Sequence, residues 1–220
     1  MKRILEPELM LDENQCRVYS NASFDVPYGD FLNSFKEKFT NKIIKGSVLD
    51  LGCGPGDLSI LFAKTFHQTN IHAIDGSEMM LDLARKKVNQ YNLSNRIIFF
   101  NQRIPDLDLP CRSYDIILSN WTLHHLINPF HLWEVIKKYS KPDTIIYLMD
   151  FTRPRTVKLA KQIIRKHCKN EPEIFKKDCY NSLLASFRPQ EIISQMNQCQ
   201  LSKLNFAIVS KYQFAVWGQF

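Results

Sequence analysis

Apolar residues along this chain switch between two periods, and the switches mark the elements. Val48, Leu49 and Leu51 form a short apolar run that reads as a buried strand. Leu58, Ile60, Leu61, Phe62 and Phe66 then recur at helical spacing. Further strands are predicted over residues 70–74, 96–100, 114–118 and 144–149. Between them lie a helix with Met79, Met80, Leu83, Ala84 and Val88 on one face, and another over 130–139. His124 and His125 are read as opening the helical stretch that leads into the latter. Such alternation predicts a largely parallel sheet covered by helices. Upstream, Phe31, Leu32, Phe35 and Phe39 mark a helix packed on the sheet. Residues 15–24, with Tyr19 and Phe24, read as a helix or a folded lid. Downstream, 156–167 is a basic helix, and Tyr180, Asn181 and Ser182 head an apolar helical stretch running to Phe187. Pro189 opens the last helix at a tolerated first-turn position. Residues 204–210 and 212–220 alternate as two strands joined by a short turn, hence antiparallel neighbours. The predicted fold class is α/β: a doubly wound, seven-stranded, mostly parallel sheet with a C-terminal antiparallel hairpin and helices on both faces. With no composition shift along it, 1–220 is expected to form one domain.

The turn after the first strand carries the chemistry. It reads Gly52-Cys53-Gly54-Pro55-Gly56, followed by Asp57 at the helix start. Asp57 is most simply a helix cap. Glycines bring backbone close to a ligand, and a helix N-terminus offers unpaired N–H groups. A dinucleotide turn needs G-x-G-x-x-G, whereas here the spacing is G-x-G-x-G. Asp50 sits two residues before the turn, where it would repel a pyrophosphate. It suits a ligand with an ammonium group, or serves to hold the turn. S-adenosylmethionine (SAM) is such a ligand. Asp75 ends the second predicted strand, 19 residues after Gly56. A carboxylate at that place takes both hydroxyls of a ribose.

Three motifs in order, Val48 to Gly56, Ala73-Ile74-Asp75-Gly76-Ser77, and Leu118-Ser119-Asn120 with Leu123-His124-His125-Leu126, resemble the class I SAM-dependent methyltransferases. The resemblance implies SAM as cofactor and release of S-adenosylhomocysteine (SAH). It implies a cofactor site built from Asp50, Gly52, Cys53, Gly54, Gly56, Asp75, Gly76, Ser77, Met80, Gln102, Arg103, Ser119, Asn120 and Tyr19. Met80 either touches adenine or fills the core. Gln102 stands where the family often has an acidic residue for the adenine amine, and its carbonyl accepts equally well. On the catalytic side the candidates are His125, Asn120 and Tyr180, with Trp121, His124, Asp150, Arg153 and Asn181 toward the substrate. His125 is either a base for a hydroxyl or thiol, or a cofactor-side or structural ring. Arg153 is either a substrate contact or half of a surface salt bridge, and Asn181 either a contact or a cap. Family architecture makes 1–45 an N-terminal lid segment and 151–190 a substrate-lid insertion. Ser119-Asn120-Trp121-Thr122 lacks the paired prolines of base-amino methyltransferases, which disfavours that chemistry.

Composition narrows the partners. Hydrophobic residues are 45% and charged ones 23%, an ordinary globular profile. No apolar run reaches the roughly 18 residues of a membrane span, and the first residues lack the apolar core of a secretion signal, so a cytoplasmic chain is expected. The six cysteines, without a CxxC pair, read as free thiols, and no Cys/His cluster has zinc spacing, so no metal is expected. A net charge of +7 keeps an RNA or protein acceptor as the alternative. A small-molecule acceptor is favoured, because the lids are short and aromatic and no RNA-binding domain is appended. A SAM-binding protein without methyl transfer is the third reading. Oligomeric state is left open.

Overall fold

The structure is a computed structural model that describes residues 1–7, 9–22 and 25–220, with the side chains of Asp25 and Val26 excepted. The expectation for Phe24 lies outside the described residues. Seven strands form one sheet: β1 (Gly46–Leu51), β2 (Thr69–Asp75), β3 (Ile97–Asn101), β4 (Tyr114–Asn120), β5 (Ser140–Phe151), β6 (Asn205–Ser210) and β7 (Gln213–Gln219). Their order is β3-β2-β1-β4-β5-β7-β6. The pairs from β3 across to β5 are parallel, and β7 runs antiparallel to both β5 and β6. The doubly wound sheet and its terminal hairpin are as the sequence predicts. Strand order reverses direction between β1 and β4, so the carboxyl ends of β1, β2 and β4 open a crevice there.

Eight helices are described: α1 (Glu13–Asn21), α2 (Asp25–Lys38), α3 (Asp57–Thr65), α4 (Glu78–Gln90), α5 (Phe130–Tyr139), α6 (Val157–His167), α7 (Glu173–Ala185) and α8 (Pro189–Gln198). One face of the sheet packs against α2, α3 and α4. There Phe31, Phe35 and Phe62 are fully buried around Tyr147 of β5, with edge-on ring contacts of 4.8–5.5 Å. Each such ring contributes roughly 1.5–3 kcal/mol by leaving water. The other face packs against α5 and α8, which are joined inside by Trp133 Nε1 donating to Gln195 Oε1 at 3.0 Å. Between β3 and β4 no helix intervenes; Leu107 and Leu109 of that loop fill the same core.

Three local expectations are corrected. Asp57 is the first helical residue rather than the cap: Gly56 occupies the cap position at φ +79°, and the Asp57 carboxylate instead binds Lys87 Nζ at 2.8 Å. His124 and His125 lie in a single 3-10 turn, Leu123–His125, before Pro129 starts α5. Asn181 and Ser182 fall in the later half of α7, which begins eight residues before Asn181, so neither caps a helix.

The N-terminal arm is tied across the sheet's carboxyl edge. Arg3 Nη2 donates to the carbonyls of His124 and Leu126, both at 2.8 Å, and its Nε to Ala185 O. Its guanidinium lies 4.0 Å from the Phe187 ring centre. Ile4 N–H adds a bond to Leu184 O at 3.1 Å. One side chain thus fastens residues 1–7 to the 3-10 turn and the end of α7.

Candidate active site

The glycine turn folds back on itself. Gly52 and Cys53 N–H both donate to Ile74 O at 2.9 Å, Gly56 N–H donates to Cys53 O, and Gly54 N–H donates to Asp75 Oδ2 at 2.9 Å. These four amides are spent inside the protein, so the turn offers few donors to a phosphate. The turn needs its glycines for different reasons. At Gly52, φ is +77° and a Cβ would meet Thr122 Oγ1 at 2.1 Å. At Gly54, φ is +52° but a Cβ would point into open space.

Asp75 closes β2 at the rim of a cavity lined by the glycine turn, Met80, Gln102, Arg103, Asn120 and Trp121. Its Oδ1 accepts from Ser77 N–H at 2.8 Å and its Oδ2 from Gly54 N–H. Each oxygen keeps a second lone pair. Burial pushes the carboxyl above its usual range, against the two backbone hydrogen bonds that pull it down. Ligand hydroxyls would satisfy the remaining lone pairs. Across the cavity, Asn120 Oδ1 is buried without a hydrogen-bond partner, an acceptor placed for a ligand N–H. Asp50 also borders the cavity; it is buried and accepts from Ser59 Oγ. Burial raises its carboxyl to about 6, the Ser59 bond opposing the shift and Asp75 adding to it. Two carboxylates and an orphaned carbonyl give this cavity acceptors suited to hydroxyls and an ammonium group.

A second cavity adjoins the first. Both are lined by Tyr19, Trp121 and His125. Trp121 stands at φ +56°, a strained conformation for a bulky residue, and stacks on Phe151 with centroids 5.1 Å apart. The second cavity is closed by the N-terminal arm, α1 and α7, and takes in Glu6, His124, Asn181 and Ser182. His124 is buried, with Nδ1 2.5 Å from Asp150 Oδ1. Its desolvation is outweighed by Asp150, so its pKa is raised. His125 is pushed down to about 3 by desolvation and by His124 beside it, so its ring stays neutral. Desolvation raises Glu6 to about 7 against the pull of His124.

The two cavities gather most of the residues expected from the sequence. Gly52, Cys53, Gly54, Asp75, Gly76, Met80, Arg103 and Asn120 meet at the first, Asn181 and His124 at the second, and Tyr19, Trp121 and His125 at both. Others are spent elsewhere. Gln102 borders the first cavity, but its amide clasps the Asp108 backbone at both ends, with Nε2 to O at 2.7 Å and N to Oε1 at 2.8 Å. Ser119 Oγ ties β4 to Leu51 O at 3.1 Å. Ser77 Oγ caps α4 by accepting from Met80 N–H and donates to Met10 O at 2.6 Å. Gly56 leaves room for Ala84 and Phe99. The substrate roles expected of Asp150 and Arg153 are corrected. Asp150 is buried behind His124, and Arg153 is buried with its guanidinium on Glu191 at 2.6 Å and Ser186 O at 2.9 Å. Tyr180, expected to act in catalysis, packs instead against the apolar cluster of Ala160, Leu183 and Leu184. Glu6 is the residue that sequence reasoning missed. It belongs to no motif, and its arm is held beside the histidines by contacts distant in sequence, the Arg3 clamp chief among them.

Residues 48–143 match the family model described as "Methyltransferase domain". The chain is similar to a demethylmenaquinone methyltransferase of Lactobacillus johnsonii, 30% identical over 126 residues, covering 56% of this chain and 52% of that one. It is also similar to the ribosomal protein arginine N-methyltransferase rmt3 of Schizosaccharomyces pombe, 35% identical over 94 residues, covering 43% of this chain and 16% of that one. The chain thus spans about half, or less, of the length of these relatives. Its fold matches the plantazolicin methyltransferase BpumL, solved with a triazolic desmethylPZN analog and SAH. That match has a TM-score of 0.68 at 18% identity and covers 94% of this chain and 91% of that one. With its glycine turn, strand-end Asp75 and antiparallel terminal hairpin, the chain has the fold of the class I, Rossmann-like methyltransferases, and its residues 48–143 match the methyltransferase-domain model.

Proposed function

We propose that this chain transfers a methyl group from SAM to a small-molecule acceptor and releases SAH. The observation that carries the reading is Asp75: a carboxylate anchored by two backbone N–H groups at the rim of one cavity, which shares a wall with a second. SAH in the solved structure of BpumL, and methyl transfer by the named relatives, support it. SAM, when bound, supplies a methyl carbon on a sulfonium that is already a good leaving group. The chain's own work is then placement. Asp75 holds the ribose hydroxyls, while Asn120 and Asp50 receive the amino-acid end. Trp121 and Tyr19 keep the shared wall apolar, and the Arg3 clamp holds in place the N-terminal arm that walls the acceptor cavity. Positioning of this kind is worth about 7–11 kcal/mol. The acceptor gains CH3, the S–CH3 bond gives its electron pair to sulfur, and any acceptor proton leaves to water.

The second cavity, walled by the N-terminal arm, α1 and α7, supports a small acceptor. An arginine side chain is the second reading, favoured by Glu6, Asp12 and Asp178 around the same cavity. Methyl-tritiated SAM incubated with a lysate distinguishes them. Label should enter the small-molecule fraction. Label in protein or RNA would shift the acceptor class, and tight SAM binding with no label anywhere would leave a SAM-binding protein.

Two outcomes follow from single residues. Above about pH 6 Asp50 is charged and attracts an ammonium group; below it, the neutral acid does not. Calorimetric SAM affinity should therefore fall about tenfold from pH 7 to pH 5 by proton linkage. Asp50→Asn should bind weakly at both values, and an unchanged wild-type profile would exclude this contact. His125→Ala should lower turnover roughly tenfold or more while SAM affinity moves only a few-fold. The neutral ring lines both cavities, so its loss falls on the acceptor side more than on SAM. Equal losses in both would mark a cofactor-side or structural role.

A further inference from the structure

We propose that Glu6, His124 and His125 form a divalent-metal site of zinc type at the wall of the acceptor cavity. Glu6 Oε1 lies 3.4 Å from His124 Nε2 and 3.4 Å from His125 Nδ1. The three ligand atoms all lie within 4.8 Å of one another. Each is buried and has no hydrogen-bond partner. The far side of each ring is already committed. Asp150 Oδ1 takes the Nδ1 proton of His124 at 2.5 Å, and the Pro7 carbonyl takes a hydrogen bond from the His125 ring. Three potential ligand atoms therefore converge on one point, with the far sides of both rings already committed.

A shared proton does not resolve this. A hydrogen bond between N and O spans about 2.7–3.2 Å, and one proton serves only two of the three atoms. A metal does resolve it. With bonds of about 2.1 Å to nitrogen and oxygen, a tetrahedral ion has ligand–ligand edges of about 3.4 Å. The two edges from Glu6 to the histidines have that length. The carboxylate behind His124 and the carbonyl behind His125 are the supports that fix the tautomer and orientation of metal-binding histidines. Ser182 Oγ, 3.3 Å from Glu6 Oε2, steadies the third ligand. Arg3 brings the arm carrying Glu6 into range by binding the His124 and Leu126 carbonyls.

Two histidines and one carboxylate leave an open position on zinc, as in catalytic rather than structural sites. All three residues line the acceptor cavity, so that position suits a hydroxyl or thiol of the acceptor. Coordination lowers the pKa of such a group, and its proton leaves to water before attack. This last step rests on the methyl-transfer reading; metal binding does not.

The test uses the full chain, stripped with a chelator and titrated without SAM, so that its outcome is separate from that of methyl transfer. One zinc per chain is expected. Cobalt(II) should give the visible bands of a four-coordinate nitrogen and oxygen site. Glu6→Gln and His125→Gln, each checked for folding by circular dichroism, should weaken zinc binding tenfold or more. No stoichiometric zinc, or wild-type affinity in a folded variant, would overturn the proposal. So would an intense near-ultraviolet thiolate-to-cobalt band, which would move the ion to the cysteines. Should one variant fail to fold, the other and the cobalt spectrum decide.

Discussion

Asp75→Ala is expected to weaken SAM binding at least a hundredfold. The carboxylate ends β2 with each oxygen holding one backbone N–H and one lone pair free toward the cavity. Two ribose hydroxyls donating to it form charge-assisted hydrogen bonds of about 1.5–3 kcal/mol each. Their loss amounts to about 3–6 kcal/mol, or roughly two to four decades of affinity. The variant also strands the Gly54 and Ser77 N–H groups, so a modest drop in unfolding midpoint accompanies the loss. Asp75→Asn should keep the stability better than the affinity. Calorimetry with SAM, beside urea unfolding of each apoprotein, separates the two effects. An Asp75→Ala protein that binds SAM like the wild type would remove the ribose contact.

Gly52→Val should cost the fold itself, and Gly54→Ala should not. At Gly52 the backbone has φ +77°, and a Cβ would sit 2.1 Å from Thr122 Oγ1. That hydroxyl donates to Leu51 O at 3.0 Å and cannot yield without breaking the tie between β1 and the segment after β4. A β-branched residue there adds left-handed strain of about 1–2 kcal/mol to overpacking of about 1–3 kcal/mol. A loss of about 2–5 kcal/mol in urea unfolding is expected. Gly54 shares the positive φ but has nothing within 4 Å of the added carbon. Its alanine variant should lose only about 1 kcal/mol of stability, yet bind SAM more weakly, because the methyl enters the cavity. Equal destabilisation by both substitutions would contradict the roles given to the two glycines.

The parts legible in the sequence were those written in local pattern. The Val48–Leu51 run, the glycine turn and Asp75 lie within one strand–turn–helix–strand stretch, and spacing alone places them together. The sheet followed for the same reason, since each strand and helix declares its period. What stayed hidden depends on pairings distant in sequence. Asp150 and Arg153 look available at a strand end, and nothing local reveals that His124 and Glu191 engage them. Gln102 is lost to Asp108 because the loop after β3 curls back, which its apolar pattern does not announce. The Leu-His-His-Leu motif suggested a helix, yet Pro129 sets the start of α5 and leaves the rings on a separate 3-10 turn. Glu6 was invisible because its position is set by an arginine three residues earlier that reaches across to the far end of the sheet.

The most direct test of the account is a crystal structure of the chain grown with SAH. The account predicts one nucleoside in the first cavity, both ribose hydroxyls on the Asp75 carboxylate and the amino-acid end toward Asn120 and Asp50. Its sulfur should face Trp121 and His125. A cavity left vacant at saturating SAH, or SAH lying with its ribose away from Asp75, would contradict it.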